Sequence, residues 1–335
     1  MIQTAIARAV MRQELPRELA RATMEQILAG EATPAQIAAL ATAMRMKGET
    51  PQELAGMADA LRQRVAPIRT HRSPLLDTCG TGGDSAGTFN ISTSAAILAA
   101  SCGVAVAKHG NRAVTSRTGS ADVLESLGVR IDLTPESAAR SLDILGITFL
   151  FAPNYHAALR HAAAPRREIG VRTVFNILGP LTNPAGAKRQ LLGVYSDTLV
   201  RPVAEVLREL GSEHAWVVHG RDGLDELTVF DKTHVAELKG QEIREFEVDP
   251  STLGFEKADR NGIAGGDPAA NAAKIRAIFA GERGPARDIV VLNTAAALIV
   301  SGLASDLREG IERAQQAIDR GAAKAKLAEL AAFRG

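Results

Sequence analysis

The sequence predicts an α/β protein, with a small all-helical domain followed by a larger domain built on a mostly parallel central sheet. Three observations carry this reading. Residues 1–66 show helical periodicity only. From residue 75 onward, short apolar runs alternate with helical patterns, as expected of strands joined by crossover helices. With 46% hydrophobic and 23% charged residues over 335 positions, the chain has apolar material for an ordinary core without disulfide or metal staples.

The elements follow in order. Thr33-Pro34-Ala35-Gln36 and Thr50-Pro51-Gln52-Glu53 each place a Thr cap before Pro at the first helical position, with Gln or Glu set to bond back to the cap. After the first of them, Ile37, Leu40, Ala41 and Met44 recur on one helical face. Residues 66–74, rich in Pro, Arg and His, read as a linker into an α/β domain spanning 74–335. Strands are expected at 75–77, 104–107, 148–152, 191–195, 215–218 and 289–292. Helices are expected at 92–100, 121–127, 136–145 and 200–210, a hairpin at 233–239 and 243–248 turning near Gly240, and a C-terminal helix at 322–332.

Bulk properties narrow the function. A net charge of +1 provides no global field for nucleic acid, so any anion site must be built locally. Cys79 and Cys102 have no CxxC spacing and suit a reducing, cytoplasmic setting. The first residues lack the apolar run of a secretory leader. No apolar stretch approaches the roughly 20 residues of a membrane helix.

Three loops after predicted strands carry anion-binding chemistry. Asp77-Thr78-Cys79-Gly80-Thr81-Gly82-Gly83-Asp84 is a glycine loop able to turn several N–H groups onto one anion. It is neither a dinucleotide fingerprint, because Ser85 stands where the third glycine belongs, nor a P-loop, because Thr88 rather than Lys follows Gly87. Taken alone it is also compatible with a plain strand–turn–helix connection. Thr88-Phe89-Asn90-Ile91-Ser92-Thr93 opens a helix, where free N–H groups attract phosphate; simple capping by Ser92 or Thr93 is the alternative. Lys108-His109-Gly110-Asn111-Arg112, followed by Thr115, Ser116 and Ser120, gathers cations and hydroxyls suited to a diphosphate. In open α/β sheets, loops at the carboxyl ends of strands converge on one crevice, which makes the three together a single site.

Asp222-Gly223-Leu224-Asp225-Glu226 places carboxylates on a glycine-containing loop and suits a hard divalent cation that shares substrate phosphates, such as Mg2+. Arg166 or Arg167 has the fork to hold a substrate carboxylate. His156 and His161 do not have helical zinc spacing.

Taken in order, GTGGD, TFNIST, KHGNR, GSAD, RTVFNILGPLTNP, DGLDE and GGDPAANAAKIRAIFAGE resemble the anthranilate phosphoribosyltransferase family over nearly the whole chain. The resemblance implies a helical domain carrying a homodimer interface, with a later helical contribution around 160–187, and an α/β domain of the nucleoside phosphorylase/phosphoribosyltransferase type. It implies transfer of phosphoribosyl from 5-phosphoribosyl 1-pyrophosphate (PRPP) to the anthranilate amine, a step of tryptophan biosynthesis. By resemblance, PRPP is held by Gly80, Gly83, Asp84, Thr88, Asn90, Ser92, Thr93, Lys108, Ser116 and Ser120, and Ile91, Gly110, Arg112 and Thr115 belong to the substrate-binding set. Ser92, Asp225 and Glu226 serve Mg2+. Asn111 and Arg166 contact anthranilate, with Gly80 and His109 nearby. Lys108 and His109 are the candidate catalytic residues. A pyrimidine nucleoside phosphorylase, which shares this fold and its glycine loops but needs no Asp225–Glu226 metal pair, is the alternative.

Overall fold

The computed structural model describes residues 1–82, 86–113, 117–256 and 258–335. The chain opens with α1 (Ile2–Val10), α2 (Arg17–Leu28), α3 (Pro34–Lys47) and α4 (Pro51–Arg62). Thr33 and Thr50 cap α3 and α4 with complete capping boxes through Gln36 and Glu53. Glu53 does more than cap. It is buried, pairs with Lys47 at 2.8 Å and accepts the Leu15 N–H at 2.7 Å, so one carboxylate joins the turn before α2 to α3 and α4.

The α/β part begins with β1 (Leu76–Gly80), α5 (Ile91–Ser101), β2 (Val106–Gly110), α6 (Ser120–Ser126), α7 (Pro135–Leu145) and β3 (Ile147–Phe151). The chain then turns back through α8 (Ala152–Tyr155), α9 (Arg160–Ile169) and α10 (Val174–Leu178). Of these, α9 packs on α2 and α3, and α10 on α3 and α4. It re-enters the sheet as β4 (Arg189–Gly193), α11 (Val200–Glu209), β5 (His214–Gly220) and the hairpin β6 (Thr233–Lys239) and β7 (Glu242–Val248). Gly240 takes the left-handed conformation at the hairpin turn, with φ 62°. Helices α12 (Pro268–Phe279), α13 (Pro285–Ser301), α14 (Leu307–Asp319) and α15 (Ala322–Ala332) complete the chain.

The seven-stranded sheet has the order β3-β2-β1-β4-β5-β6-β7, parallel through β5 and antiparallel at the hairpin. From β1 the chain builds outward to β3 on one side, then restarts at β4 on the other. That reversal opens a crevice at the carboxyl ends of β1 and β4. Alternate residues enter different cores: Leu191 and Trp216 join the core around α5 and α13, whereas Leu192 and Val217 join the core beneath the helical bundle. Both faces are therefore covered, as a parallel sheet requires.

One expected strand is corrected. Residues 289–292 lie in the middle of α13, not in the sheet. The apolar run is longer than a strand. Residues Ile289 to Val300 are buried around the whole circumference, with Pro285 in the first turn and Gly302 in a left-handed C-cap. A helix at the centre of a core loses its amphipathic period, and length then decides between helix and strand.

Candidate active site

The crevice is closed at its base by two glycines in register, Gly80 on β1 and Gly193 on β4. The loop after β5 crosses over them. A Cβ on Gly193 would lie 1.6 Å from the Asp225 carbonyl oxygen, and one on Gly80 would lie 2.9 Å from Asp225 Oδ2. The Thr81 N–H donates to the Gly193 carbonyl (2.9 Å), and the Gly82 N–H donates to Asp225 Oδ2 (3.1 Å). Bare backbone at both positions lets the acidic loop dock on the glycine loop.

The start of α5 joins the same point. The Ser92 N–H donates to Glu226 Oε1 (3.1 Å), and the Thr78 hydroxyl donates to the Ser92 carbonyl (3.1 Å). Lys108, at the centre of β2 and 4% exposed, donates from Nζ to the Thr78 carbonyl and reaches Ser92 Oγ at 3.4 Å. Burial pulls the Lys108 pKa below the ordinary lysine value, while Asp77, Cys79 and Glu226 pull it back toward the cation. Ser92 is thus the meeting point of the glycine loop, the α5 N-terminus, Lys108 and the acidic loop.

The basic loop folds over its own residues. Ser120 Oγ donates to the Asn111 carbonyl (3.1 Å) and accepts the Asn111 N–H (3.2 Å), and a Cβ on Gly110 would lie 2.3 Å from that same oxygen. Arg112 is exposed and its guanidinium is taken by Asp122 (3.0 Å) and Glu125 (2.5 Å). Ile91 and Thr93 are buried side chains at the helix start, so only their backbone is open to a ligand there. The Thr88 backbone forms a bridge with Ala264, and the Asn90 amide is engaged with Thr118 and Asn271. Gly83, Asp84, Thr115 and Ser116 lie outside the described residues.

His109 marks the other side of the crevice. Its N–H donates to Asp77 Oδ1 (3.1 Å), and its ring lies 5.0 Å from that of His156. Asp77 Oδ2 also accepts from Asn183 Nδ2 (2.8 Å), which ties the GPLTNP segment to β1. Burial, then the His156 ring and Lys108, bring the His109 pKa down to about 3 against the pull of the Gly179 carbonyl. Its Nε2 is buried with no hydrogen-bond partner among the described residues. Arg166 on α9 is half-buried, stacks 5.5 Å from the Phe175 ring on α10, and forms no ion pair among the described residues. Burial alone depresses its pKa. An unpaired guanidinium beside the segment that leads to Gly179 is suited to a carboxylate ligand.

The donors around Ser92 fit magnesium. Asp225, Glu226 and the Ser92 hydroxyl are all hard oxygen ligands, and the Glu226 carboxylate lies against the Ser92 N–H. Magnesium prefers such oxygen ligands and commonly shares them with water and substrate phosphate. Asp222 plays a different part, accepting from the Thr228 hydroxyl (2.8 Å) and so holding the loop's own turn.

Sequence reasoning gave no role to Asp77, His156, Asn183 or Asn271. Asp77 heads the glycine motif, but an Asp before glycines reads as a turn residue. Asn183 precedes Pro184 and reads likewise as a turn. Nothing local marks His156 or Asn271, whose partners come from distant segments.

The chain matches the Glycosyl transferase family, helical bundle domain, over residues 3–65 and the Glycosyl transferase family, a/b domain, over residues 72–324. It is 51% identical to the anthranilate phosphoribosyltransferase of Moorella thermoacetica, over 99% of this chain and 98% of that one. It is 53% identical to that of Myxococcus xanthus, over 98% of each. Among solved structures, the anthranilate phosphoribosyltransferase from Thermus thermophilus superposes with a TM-score of 0.93 at 44% identity, covering 98% of each chain. The Saccharomyces cerevisiae enzyme in complex with PRPP and Mg gives a TM-score of 0.89 at 27% identity, covering 98% of this chain and 96% of that one.

Proposed function

The chain belongs to the anthranilate phosphoribosyltransferase family, and we infer from this that its crevice joins PRPP to anthranilate as a step of tryptophan biosynthesis. The enzyme transfers the phosphoribosyl group to the aryl amine. The amine lone pair forms the new bond at the anomeric carbon, the bond to pyrophosphate breaks with its electron pair leaving on oxygen, and the amine releases one proton. The observation that carries this reading is the convergence on Ser92 of Lys108, Glu226 and the glycine strand.

In this reading the α5 N-terminus, the Gly80–Gly82 backbone and Lys108 hold the pyrophosphate and stabilise its developing charge. Gly83, Asp84, Thr115, Ser116 and Ser120 complete the PRPP contacts. Asp225 and Glu226, with Ser92, hold Mg2+, which when bound neutralises pyrophosphate charge. Arg166 takes the anthranilate carboxylate and Asn111 the acceptor's edge. The neutral His109 ring orients the acceptor without repelling or protonating it. An aryl amine is already neutral near pH 7, so orientation rather than a strong base supplies much of the rate. Residues 1–66 and the helices around 160–187 form one wall of the cleft and the rest of residues 74–335 the other.

A second copy of the chain covers the bundle where Val10, Met11 and Met46 are 68%, 71% and 72% exposed. Cys79 and Cys102 are free and among the described residues no helix is long and apolar enough to cross a membrane; a cytoplasmic location suits both.

Loss of anthranilate fluorescence that requires protein, PRPP and Mg2+ together, and stops with excess chelator, is the expected result. The pair Asp225→Ala/Glu226→Ala is expected to lose nearly all turnover. Near-normal activity in that variant overturns the metal assignment. Turnover of pyrimidine nucleosides with phosphate, insensitive to chelator, would replace the transferase by a phosphorylase.

A further inference from the structure

Four groups from three separate segments close a ring of hydrogen bonds beside the α5 N-terminus. Asn271 Nδ2 donates to Asn90 Oδ1 (3.0 Å), and Asn90 Nδ2 donates to the Thr118 carbonyl (3.1 Å). The Thr118 hydroxyl donates to the Gly266 carbonyl (2.8 Å), and the Gly266 N–H returns to Asn271 Oδ1 (2.7 Å). Within each side-chain amide the accepted and donated bonds reinforce one another, since the oxygen and nitrogen of Asn90 and of Asn271 are conjugated. The two backbone groups fix both amides: Gly266 N–H demands the oxygen of Asn271, and the Thr118 carbonyl demands the nitrogen of Asn90. Asn271 is 2% exposed and Thr118 is 6% exposed, so a broken link leaves groups without water to replace their partners.

The ring joins three elements that are distant in sequence. Asn90 is the N-cap of α5, Thr118 lies just before α6, and Gly266 and Asn271 flank the start of α12. The backbone supports the same union. Phe89 N–H donates to the Ile263 carbonyl (3.1 Å), Gly265 N–H donates to the Gly87 carbonyl (2.7 Å), and a Cβ on Gly265 would lie 2.4 Å from the Thr88 carbonyl oxygen. Asn271 itself is given no ligand by the arrangement.

We propose that Asn271 is a positioning residue for PRPP, acting through Asn90 and Thr118 to set the spacing between the α5 N-terminus and the segment that leads into Ser120. The proposal rests on the PRPP site described above. It also revises the role of Asn90, whose side-chain amide serves the ring while its backbone caps the phosphate-binding helix.

Two near-isosteric changes break the ring at different links. In Asn271→Asp the ionised carboxylate has no donor for Asn90 Oδ1, and in Thr118→Val the donor to Gly266 disappears; Thr118→Ser keeps it. A shift in that spacing is expected to weaken PRPP binding on the order of tenfold, which is about 1.4 kcal/mol. The expected result is a rise of roughly tenfold in KM for PRPP in Asn271→Asp and Thr118→Val, with KM for anthranilate within about twofold of the parent and Thr118→Ser close to the parent. A lowered Tm with unchanged KM for PRPP, or an equal rise in both KM values, overturns the proposal. Should Asn271→Asp fail to fold, the Thr118→Val and Thr118→Ser pair decides alone. An inactive parent enzyme in the same assay would refute the transferase reading instead, a separate outcome.

Discussion

His109 and His156 lie with their rings 5.0 Å apart, and burial holds them at pKa values of about 3 and about 4. Both are depressed from an ordinary histidine value near 6.5. Acidification below that value protonates them in the unfolded chain first, so their contribution to stability is full above it and is lost as pH falls toward their folded values. Asp77 acts in the opposite sense. Burial raises it to about 6, against the pull of Lys108, so near pH 5 the folded chain holds a proton there that the unfolded chain lacks. Of these three groups, two take up a proton on unfolding and one on folding in that window, so together they lower stability on acidification. The expected outcome is a lower Tm at pH 5 than at pH 7, with a shallower fall in His156→Asn, read by thermal denaturation at both pH values. A steeper fall in that variant would contradict this account. The sequence marks His109 through its place beside Lys108 and Gly110, but its protonation state depends on His156 and Gly179, which only the fold brings to it.

Among the elements, the helix starts were legible because capping is local: Thr33 and Thr50 announce α3 and α4 within four residues. The wider role of Glu53 was not. It appears in the sequence as a cap and in the fold as the buried partner of Lys47. Glu53→Ala is therefore expected to cost well over a cap's worth, about 3–5 kcal/mol, because it strands a buried ammonium. Urea unfolding measures this; a loss near 1 kcal/mol would mean that capping alone matters. Residues 289–292 show the converse limit, since a helix buried on all sides has no face for periodicity to reveal. The glycine motifs after β1 were visible as loops, yet nothing in Gly193 itself signals that Asp225 rests on its Cα. Gly193→Ala should push the acidic loop off its seat and lower kcat/KM for PRPP by about 100-fold while unfolding remains cooperative. Kinetics within threefold of the parent would show that the loop relocates without harm.

For the whole molecule, alternating strand and helix patterns gave the sheet, but not the order that places β4 beside β1. Strand order depends on which crossover each connection takes, and α8 to α10 carry the chain away to the bundle before it returns. The candidate site followed more readily, because parallel strands send their following loops to one edge whatever their order. Solvent-exposed Val10, Met11 and Met46 make assembly a property to test at this scale. Val10→Lys/Met46→Lys is expected to halve the mass measured by light scattering, and an unchanged mass places the interface elsewhere.

Arg62 at the end of α4 donates from Nε to the Leu181 carbonyl (2.8 Å) and from Nη1 to the Leu210 carbonyl (3.0 Å), and the bundle shares its core with Leu192, Ala215 and Val217 of the sheet. The break in the chain at residues 66–74 is therefore not a break in the packing. A gene cut there would yield two fragments with matching sticky faces rather than two proteins. Each alone would be prone to aggregate, and co-expression is the condition under which the pieces could re-form the whole.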